Sequence, residues 1–380
     1  MADNKQNKRP NVPPLRFPEF TEPWEQHLTT DYFEFKNGLN PDVKRFGTGV
    51  KFISVMDILN NRYISYDRII SSVEPKGDDL KDFGVNYGDI LFQRSSETLE
   101  DVGRANVYLD KRTAIFGGFV IRGKKIGNYD PLFFRYLLTC PTVRKRIIVK
   151  GAGAQHFNIG QDGLSKVHLS VPSEKEQKRI SDLLNLIDER IETQSKLIEK
   201  LQSLMGGIIE RLTTQSPNVR IADCLECHSS TLQENQLNEV GNYRVYGANG
   251  VCGYTNSPAI NVDSILVVKD GSGVGNVSFA TGVYSVIGTS NYLIAKSGYN
   301  LRYLYYCLMS FNLVPYKTGM AIPHIYFKDY GKGKIYCPVL EEQERIAGAL
   351  SKIETKIEVE RSILSDLTLQ KQHLLSQLFI

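Results

Sequence analysis

Pro172-Ser-Glu-Lys-Glu-Gln-Lys-Arg-Ile180 occurs twice in this 380-residue chain, returning 166 positions later as Pro338-Val-Leu-Glu-Glu-Gln-Glu-Arg-Ile346. The match continues without a gap through Leu184/Leu350, Ile187/Ile353, Ile191/Ile357, Ile198/Leu364, Leu201/Leu367, Ile208/Leu374 and Leu212/Leu378. Each copy predicts one long helix, because a proline opens it, acids fill its first turn and no proline interrupts its length. Apolar residues then recur in alternate steps of four and three. The first seam runs Ile180, Leu184, Ile187, Ile191, Gln194 and on to Leu212; the second runs Ile346, Leu350, Ile353, Ile357, Glu360 and on to Leu378. A period of 3.5 residues sustained over about five heptads is that of a coiled coil. Both copies place a polar residue, Gln194 or Glu360, at the same seam position, where polarity fixes register and partner at a cost in stability. The two copies are expected to pair with each other. Lys371, which aligns with Met205 in the seam, has no place in that pairing, and a partner chain is its expected neighbour.

The repeat extends beyond the helices. Ser264-Ile-Leu-Val267 stands where Asp89-Ile-Leu-Phe92 stood, which aligns Lys269 with Arg94. Gly275-Asn276 answers Gly103-Arg-Ala-Asn106, and Tyr299-Asn-Leu-Arg-Tyr-Leu-Tyr-Tyr-Cys-Leu308 answers Tyr129-Asp-Pro-Leu-Phe-Phe-Arg-Tyr-Leu-Leu138. The loop Gly151-Ala-Gly-Ala-Gln-His156-Phe is matched with Thr318-Gly-Met-Ala-Ile-Pro-His324-Ile through the two histidines. Residues 50–58 and 64–72 read as strands around a turn at Asn60-Asn61. Residues 131–138 read as a helix that 143–149 extend. The resulting organisation is an α+β chain: a mixed domain over 1–171, a helix over 172–215, a second mixed domain over 216–337 and a final helix over 338–380. The helices match closely and the domains barely do, as expected for one scaffold presenting two different surfaces.

Composition excludes several classes. With 41% apolar and 23% charged residues the chain has the make-up of a globular protein, and no run of 18 apolar residues predicts a membrane span. The polar opening Met1-Ala-Asp-Asn-Lys-Gln-Asn-Lys-Arg-Pro10 reads as a disordered arm without signal-peptide character, and six scattered cysteines suit free thiols in a cytoplasmic chain. Residues 1–171 carry 25 basic and 20 acidic residues and 216–337 carry 9 and 7, so the positive excess sits in the domains rather than the helices. That distribution suits domains facing a polyanion.

Catalytic patterns are weak. Gly271-Ser-Gly-Val-Gly275 is half a dinucleotide fingerprint without a βαβ frame, and Gly47-Thr-Gly-Val-Lys51 lacks the Gly-Lys-Ser/Thr of a phosphate loop. Pro41-Asp42 with Glu74-Pro-Lys76 imitates a nuclease core but has no counterpart in the second half. Cys224-Leu-Glu-Cys227-His228 has haem-attachment spacing without an export signal, and with Cys252 it fits no common zinc pattern. No catalytic or metal residue is assigned.

Reading duplex DNA needs cations for phosphates and Arg, Lys, Asn, Gln or Ser on loops that reach base edges. In the first domain the candidates are Gln93, Arg94 and Ser95 after a buried strand; Lys124, Lys125, Arg144, Lys145, Arg146 and Lys150 for phosphates; and Gln155 with His156 on the loop. In the second they are Arg244 and Asn249, Lys269 and Ser272, and Lys317, Thr318 and His324.

These features together resemble the DNA-specificity subunits of type I restriction–modification enzymes. The likeness is carried by the two helix openings, the Asp89/Ser264-Ile-Leu strands, Tyr243-Arg-Val-Tyr-Gly-Ala-Asn-Gly250, Ala154-Gln-His-Phe-Asn-Ile159 and Ile322-Pro-His-Ile-Tyr-Phe327. It covers essentially the whole chain. The resemblance implies two target-recognition domains, each reading half of a bipartite asymmetric site, held apart by an antiparallel intramolecular coiled coil. It implies double-stranded DNA, two modification subunits and restriction (translocase/endonuclease) subunits as partners. S-adenosylmethionine, ATP and Mg²⁺ would then sit on those partners and no cofactor on this chain. Ser264 in place of Asp89 means that no general role attaches to that carboxylate. A 40-residue helix is about 60 Å long at ~1.5 Å per residue, a strut that would leave bases between the half-sites unread. The alternatives are a self-contained nuclease or methyltransferase and a protein-binding coiled-coil adaptor.

Overall fold

The computed structural model describes residues 11–380 apart from 154, 155, 214, 272, 320 and 321. It divides into two compact units, one of Met1–Gln194 with Ile363–Ile380, the other Ser195–Ser362. Each unit combines one mixed domain with a part of each long helix.

The first domain is built on β1 (Phe33–Asn37), β2 (Ile90–Gln93), β4 (Ala105–Val107) and β5 (Val120–Lys125), with the short strands β3 (Ser95–Ser96) and β6 (Phe157–Asn158) paired beyond its edge. Its central sheet has the order β1-β5-β2-β4, antiparallel throughout. The second domain uses β7 (Leu225–Ser229), β10 (Ser264–Val268), β11 (Val277–Ala280) and β12 (Ser290–Ala295) in the order β7-β12-β10-β11, again antiparallel, with a side hairpin β8 (Tyr243–Gly247) and β9 (Gly250–Thr255). The connectivity is the same although the sequences are not. β2 and β10 are buried along their whole length because both faces are covered. Ile90 and Phe92 pack on Phe133, Phe134 and Leu137, while Leu91 turns to Ile53, Ile58 and Phe116 on the other side.

The helices are α1 (Val55–Asn60), α2 (Pro131–Thr139), α3 (Pro141–Ile148), α4 (Glu174–Thr213), α5 (Leu301–Ser310) and α6 (Leu340–Gln377). Several local expectations fail here. Residues 55–60 are helix rather than strand, because Ser54 and Asp57 form a reciprocal cap in which the Asp57 carboxylate accepts from the Ser54 backbone N–H at 2.7 Å. Residues 64–71 form one 3-10 turn, Tyr66–Arg68, with Ile64 in a single bridge to Tyr108. Residues 143–149 do not extend α2 either; Pro141 opens a separate helix, with Cys140 extended before it.

The repeated sequence around Gln177 and Gln343 is a joint between each domain and its long helix. The Gln177 amide donates through Nε2 to the Pro172 carbonyl at 2.9 Å and accepts through Oε1 from the Asp130 N–H at 3.0 Å. Asp130 caps α2 by accepting from the Phe133 N–H at 2.7 Å. Gln343 repeats this with the Pro338 carbonyl at 2.8 Å and the Asn300 N–H at 2.9 Å, and Asn300 caps α5 through the Tyr303 N–H. Both glutamines are almost fully buried. Further along each helix, Asp188 accepts from the Tyr136 hydroxyl at 2.8 Å and Glu354 from the Tyr306 hydroxyl at 2.9 Å.

The long helices run antiparallel. In the first unit Ile180 and Leu184 of α4 share a core with Leu378 and Phe379, and with Leu374 and Leu375 at its rim. In the second, Met205 and Ile209 line one cleft with Glu354 and Ile357 of α6. Every expected seam residue is buried or half-buried, Ile187, Ile191 and Gln194 being half-buried and Glu360 buried at 4% exposure. Near the end of α4 the buried residue is Ile209, with Ile208 half-buried. Lys371 corrects the expectation of a partner chain: its Nζ lies 2.6 Å from the Asp188 carboxylate, inside the helix pair. No helix among the described residues is long and apolar enough to cross a membrane.

Candidate nucleic-acid interface

At the exit of the central strand both domains make the same backbone knot. In the first, the Gly103 N–H donates to the Gln93 carbonyl at 2.9 Å and the Gln93 N–H to the Arg104 carbonyl at 2.8 Å. In the second, Gly275 donates to Val268 at 2.8 Å and Val268 to Asn276 at 3.0 Å. Gly103 and Gly275 hold φ of 68° and 88°, which a side chain would oppose, so glycine recurs there. The next residue is clamped in turn: the Arg94 carbonyl accepts from Ile159 and the Lys269 carbonyl from Ile325, both at 2.9 Å. This joins two loops that the sequence places far apart.

The second of those loops is a closed hairpin in each domain. Ala152 and Asn158 exchange N–H···O bonds of 2.9 and 2.8 Å; Thr318 and His324 exchange bonds of 2.9 and 2.7 Å. His324 therefore corresponds to Asn158 and not to His156, and the alignment through the histidines is two residues out. The offset of 166 that relates the helices also relates 152 to 318 and 158 to 324, so the gap-free repeat begins before the helix. Asn158 was missed for that reason, and the offset would have found it.

On this shared frame the side chains differ. The Ser95 hydroxyl donates to the Asn158 amide oxygen in the first domain. In the second, His324 Nδ1 lies 2.7 Å from the Asp270 carboxylate, which orients the ring and leaves Nε2 facing away from that carboxylate. A cleft of about 520 Å³ beside His324 is lined by Lys269, Asp270, Ser229, Asn291 and Lys328. Ala248, next to Asn249 at the tip of the β8–β9 hairpin, packs toward Gly273, and Lys317 packs toward Gly275. Asn249, Lys269, Lys317, Thr318 and His324 thus gather at one end of the second domain.

The remaining candidates separate. Gln93 is buried, its Nε2 donating to the Ser95 carbonyl at 2.9 Å while its Oε1 has no partner among the described residues. Arg94 is half-buried, with Nη1 3.3 Å from the Gly118 carbonyl. Lys124 and Lys125 do not join this end. β5 is antiparallel to β2, so its C-terminus lies by Asp89 at the opposite edge, where Lys125 Nζ donates to the Tyr129 carbonyl at 3.0 Å and burial lowers its pKa. Asp89 there accepts from the Asn86 and Lys125 N–H groups, with a pKa raised by burial; Ser264 instead bonds the Tyr284 hydroxyl. Arg144 turns inward, Nη2 donating to the Glu100 and Val102 carbonyls at 2.8 Å, and Arg146 donates to the His168 carbonyl at 3.0 Å. Lys145, Lys150 and His156 are exposed, and so is Arg244, one residue into β8 and away from the hairpin tip. Gln155 and Ser272 lie outside the described residues.

The same backbone frame thus occurs twice in the chain, dressed with different polar pairs. The sequence profile of the family described as type I restriction modification DNA specificity domain matches residues 21–203 and again 217–369, and the chain belongs to that family. A putative type I restriction enzyme MjaX specificity subunit of Methanocaldococcus jannaschii is 25% identical over 55% of this chain, the match spanning 49% of that relative's length. The EcoprrI specificity subunit of Escherichia coli is 26% identical over 30% of this chain and 28% of its own, and the subunit S.MgeORF438P of Mycoplasma genitalium is 24% identical over 66% and 72%. The chain thus spans about half or less of the length of the first two relatives. Among solved structures, the type I restriction–modification S subunit of M. genitalium superposes with a TM-score of 0.68 at 18% identity, over 97% of this chain and 99% of that one. A chain from a study of type I assembly and conformational transition gives 0.56 at 13%, over 94% and 97%. At these identities the superpositions establish the fold.

Proposed function

We propose that this chain is the recognition subunit of a type I restriction–modification complex, acting in the cytoplasm and supplying no chemistry itself. Each domain reads one half of a bipartite, asymmetric site in double-stranded DNA through the strand-exit and hairpin loops that meet at its end. The antiparallel helix pair sets the unread spacer and seats two modification subunits; restriction subunits complete the assembly. S-adenosylmethionine, ATP and Mg²⁺ belong to those partners, so adenine methylation and cleavage are directed from here and executed elsewhere. One observation carries this reading: the same backbone knot holds Ser95 with Asn158 in one domain and Asp270 with His324 in the other. A protein with one ligand has no use for two differently dressed copies of one frame. Solvent-accessible polar groups at corresponding positions are what direct readout requires, and all four side chains keep part of their surface open.

Methylation mapping in a host expressing this chain with its modification subunits tests it. The expected result is a two-part methylated motif, and exchanging residues 216–337 for those of another family member should change one half only. Methylation or cleavage by the purified chain alone would make it an enzyme. Failure to retain any duplex selectively in the presence of the modification subunits would make it a protein adaptor.

A further inference from the structure

Beside the end of the first domain lies a cleft of about 440 Å³ between α1, the 97–104 loop and the helices α2 and α3. Three guanidinium groups line it: Arg104, Arg135 and Arg144. Arg104 lies one hydrogen bond from Gln93, so the cleft opens directly next to the strand-exit knot. The Arg144 side chain makes no ion pair among the described residues. Nη2 is spent on two carbonyls, Nη1 is buried without an acceptor, and the group is held down to about 10 by burial and by the nearby Arg104. A buried cation beside a second cation, with a donor unmet, lacks a counter-charge. Glu100 also lines the cleft, but it is exposed and meets Arg144 through its backbone carbonyl, and the other neighbouring acids are engaged elsewhere. Asp101 meets Arg104 at 2.5 Å on the exposed rim, where such a pair contributes little, and Asp188 meets Arg135 at 3.4 Å but is shared with Tyr136 and Lys371.

The corresponding cleft of the second domain, of about 340 Å³, is lined by Val274, Asn276, Met309, Leu313 and Val314, with Lys317 at its edge. The guanidinium cluster is therefore particular to the first domain and not a by-product of the scaffold.

We infer that the Arg104–Arg135–Arg144 cleft binds a phosphate group, and that its source is a backbone phosphate of the duplex flanking the half-site read by the first domain. The inference rests on the DNA-reading proposal, and it makes the grip on the two half-sites unequal. Guanidinium forks match phosphate oxygens in pairs, and a phosphate gives Arg144 the acceptor it lacks.

The variant of choice is Arg104→Gln. Arg104 is about half exposed with Asp101 as its ion-pair partner, so its loss leaves the core intact. For the chain complexed with its modification subunits, the slope of log affinity for the target duplex against log salt should fall by about 0.9 and binding should weaken at every sequence alike. The methylated motif should stay the same. An unchanged slope and affinity would overturn the duplex assignment. In a second arm, the thermal stability of the full chain is followed with inorganic phosphate against chloride at matched ionic strength. Stabilisation of the parent and not of Arg104→Gln supports the cleft as a phosphate site, and if the DNA arm is flat it assigns the cleft to free phosphate instead. Equal responses in both proteins would overturn the site itself. Failure of the underlying reading is separate, since the parent complex would then direct no two-part methylation at all.

Discussion

A single amide decides how each domain is fixed to its helix. The Gln177 side chain has both its carbonyl and its NH₂ spent on backbone groups at the joint, the Asp130 N–H and the Pro172 carbonyl. Gln177→Leu keeps the volume but strands both groups, at about 1–3 kcal/mol each, so the first domain should lose roughly 2–4 kcal/mol. Trp24, the only tryptophan, is buried in that domain and reports its unfolding in urea by fluorescence. Gln343→Leu strands the equivalent groups in the second domain and should move the Trp24 transition less; equal midpoints for Gln177→Leu and the parent chain would remove the joint from the account. The repetition of these glutamines was plain in the sequence, but their role was not, because the N–H groups they serve lie 47 and 43 residues away. The same limit hid Asn158. Its likeness to His324 is one of position and backbone bonding, and the eye follows the side chain instead.

At the scale of the elements, the antiparallel helices are held by apolar seams and by one polar hub. Asp188 of α4 is 6% exposed and ties in two further helices, through Arg135 and Tyr136 of α2 and Lys371 of α6. Removing it by Asp188→Ala leaves three cations, Arg62, Arg135 and Lys371, and the Tyr136 hydroxyl without this acceptor, a loss of about 3–5 kcal/mol. Lys371→Ala leaves Asp188 still bonded to Tyr136 and Arg135 and should cost less, about 1–2 kcal/mol. A double-mutant cycle on denaturation midpoints separates the two, and equal losses would contradict the hub. Heptad spacing was enough to place both helices and their seam, since period and caps are local properties. It misplaced Lys371 because a lysine in a seam shows its counter-charge only once the partner helix is laid alongside it. The strand expected over residues 50–58 holds as far as Ile53 and stops there for a local reason: from Ser54 the Ser54–Asp57 cap outweighs the apolar run and starts a helix.

At the scale of the molecule, each long helix has a part in both units, and in the proposed reading this makes the spacing of the half-sites a property of helix length. Inserting one heptad at the unit boundary, after Gln194 in α4 and after Ser362 in α6, keeps the seam in phase and adds about 10 Å at ~1.5 Å per residue. In the proposed reading this is about three base pairs of ~3.4 Å, so methylation mapping should return both half-motifs unchanged with the spacer longer by about three. Altered half-motifs would count against the helices as a ruler. The doubled organisation was legible because duplication leaves a constant offset, here 166, in the segments that pack on each other. The strand exits have lost that record, since Arg94 and Lys269 stand 175 apart and Gly103 and Gly275 172 apart, whereas the hairpins from Ala152 and Thr318 onward keep it.

Phe379 stands edge-on to Trp24, with ring centres 6.2 Å apart, and with Leu378 it closes the core that Trp24 opens. Strand pairing, joint and helix cap of the first domain are all written before residue 195, yet its core is sealed by side chains from the far end of the chain. On a ribosome adding about 5–20 residues each second, the first domain therefore waits unsealed while the whole second domain is made, and it becomes watertight only once position 379 has emerged.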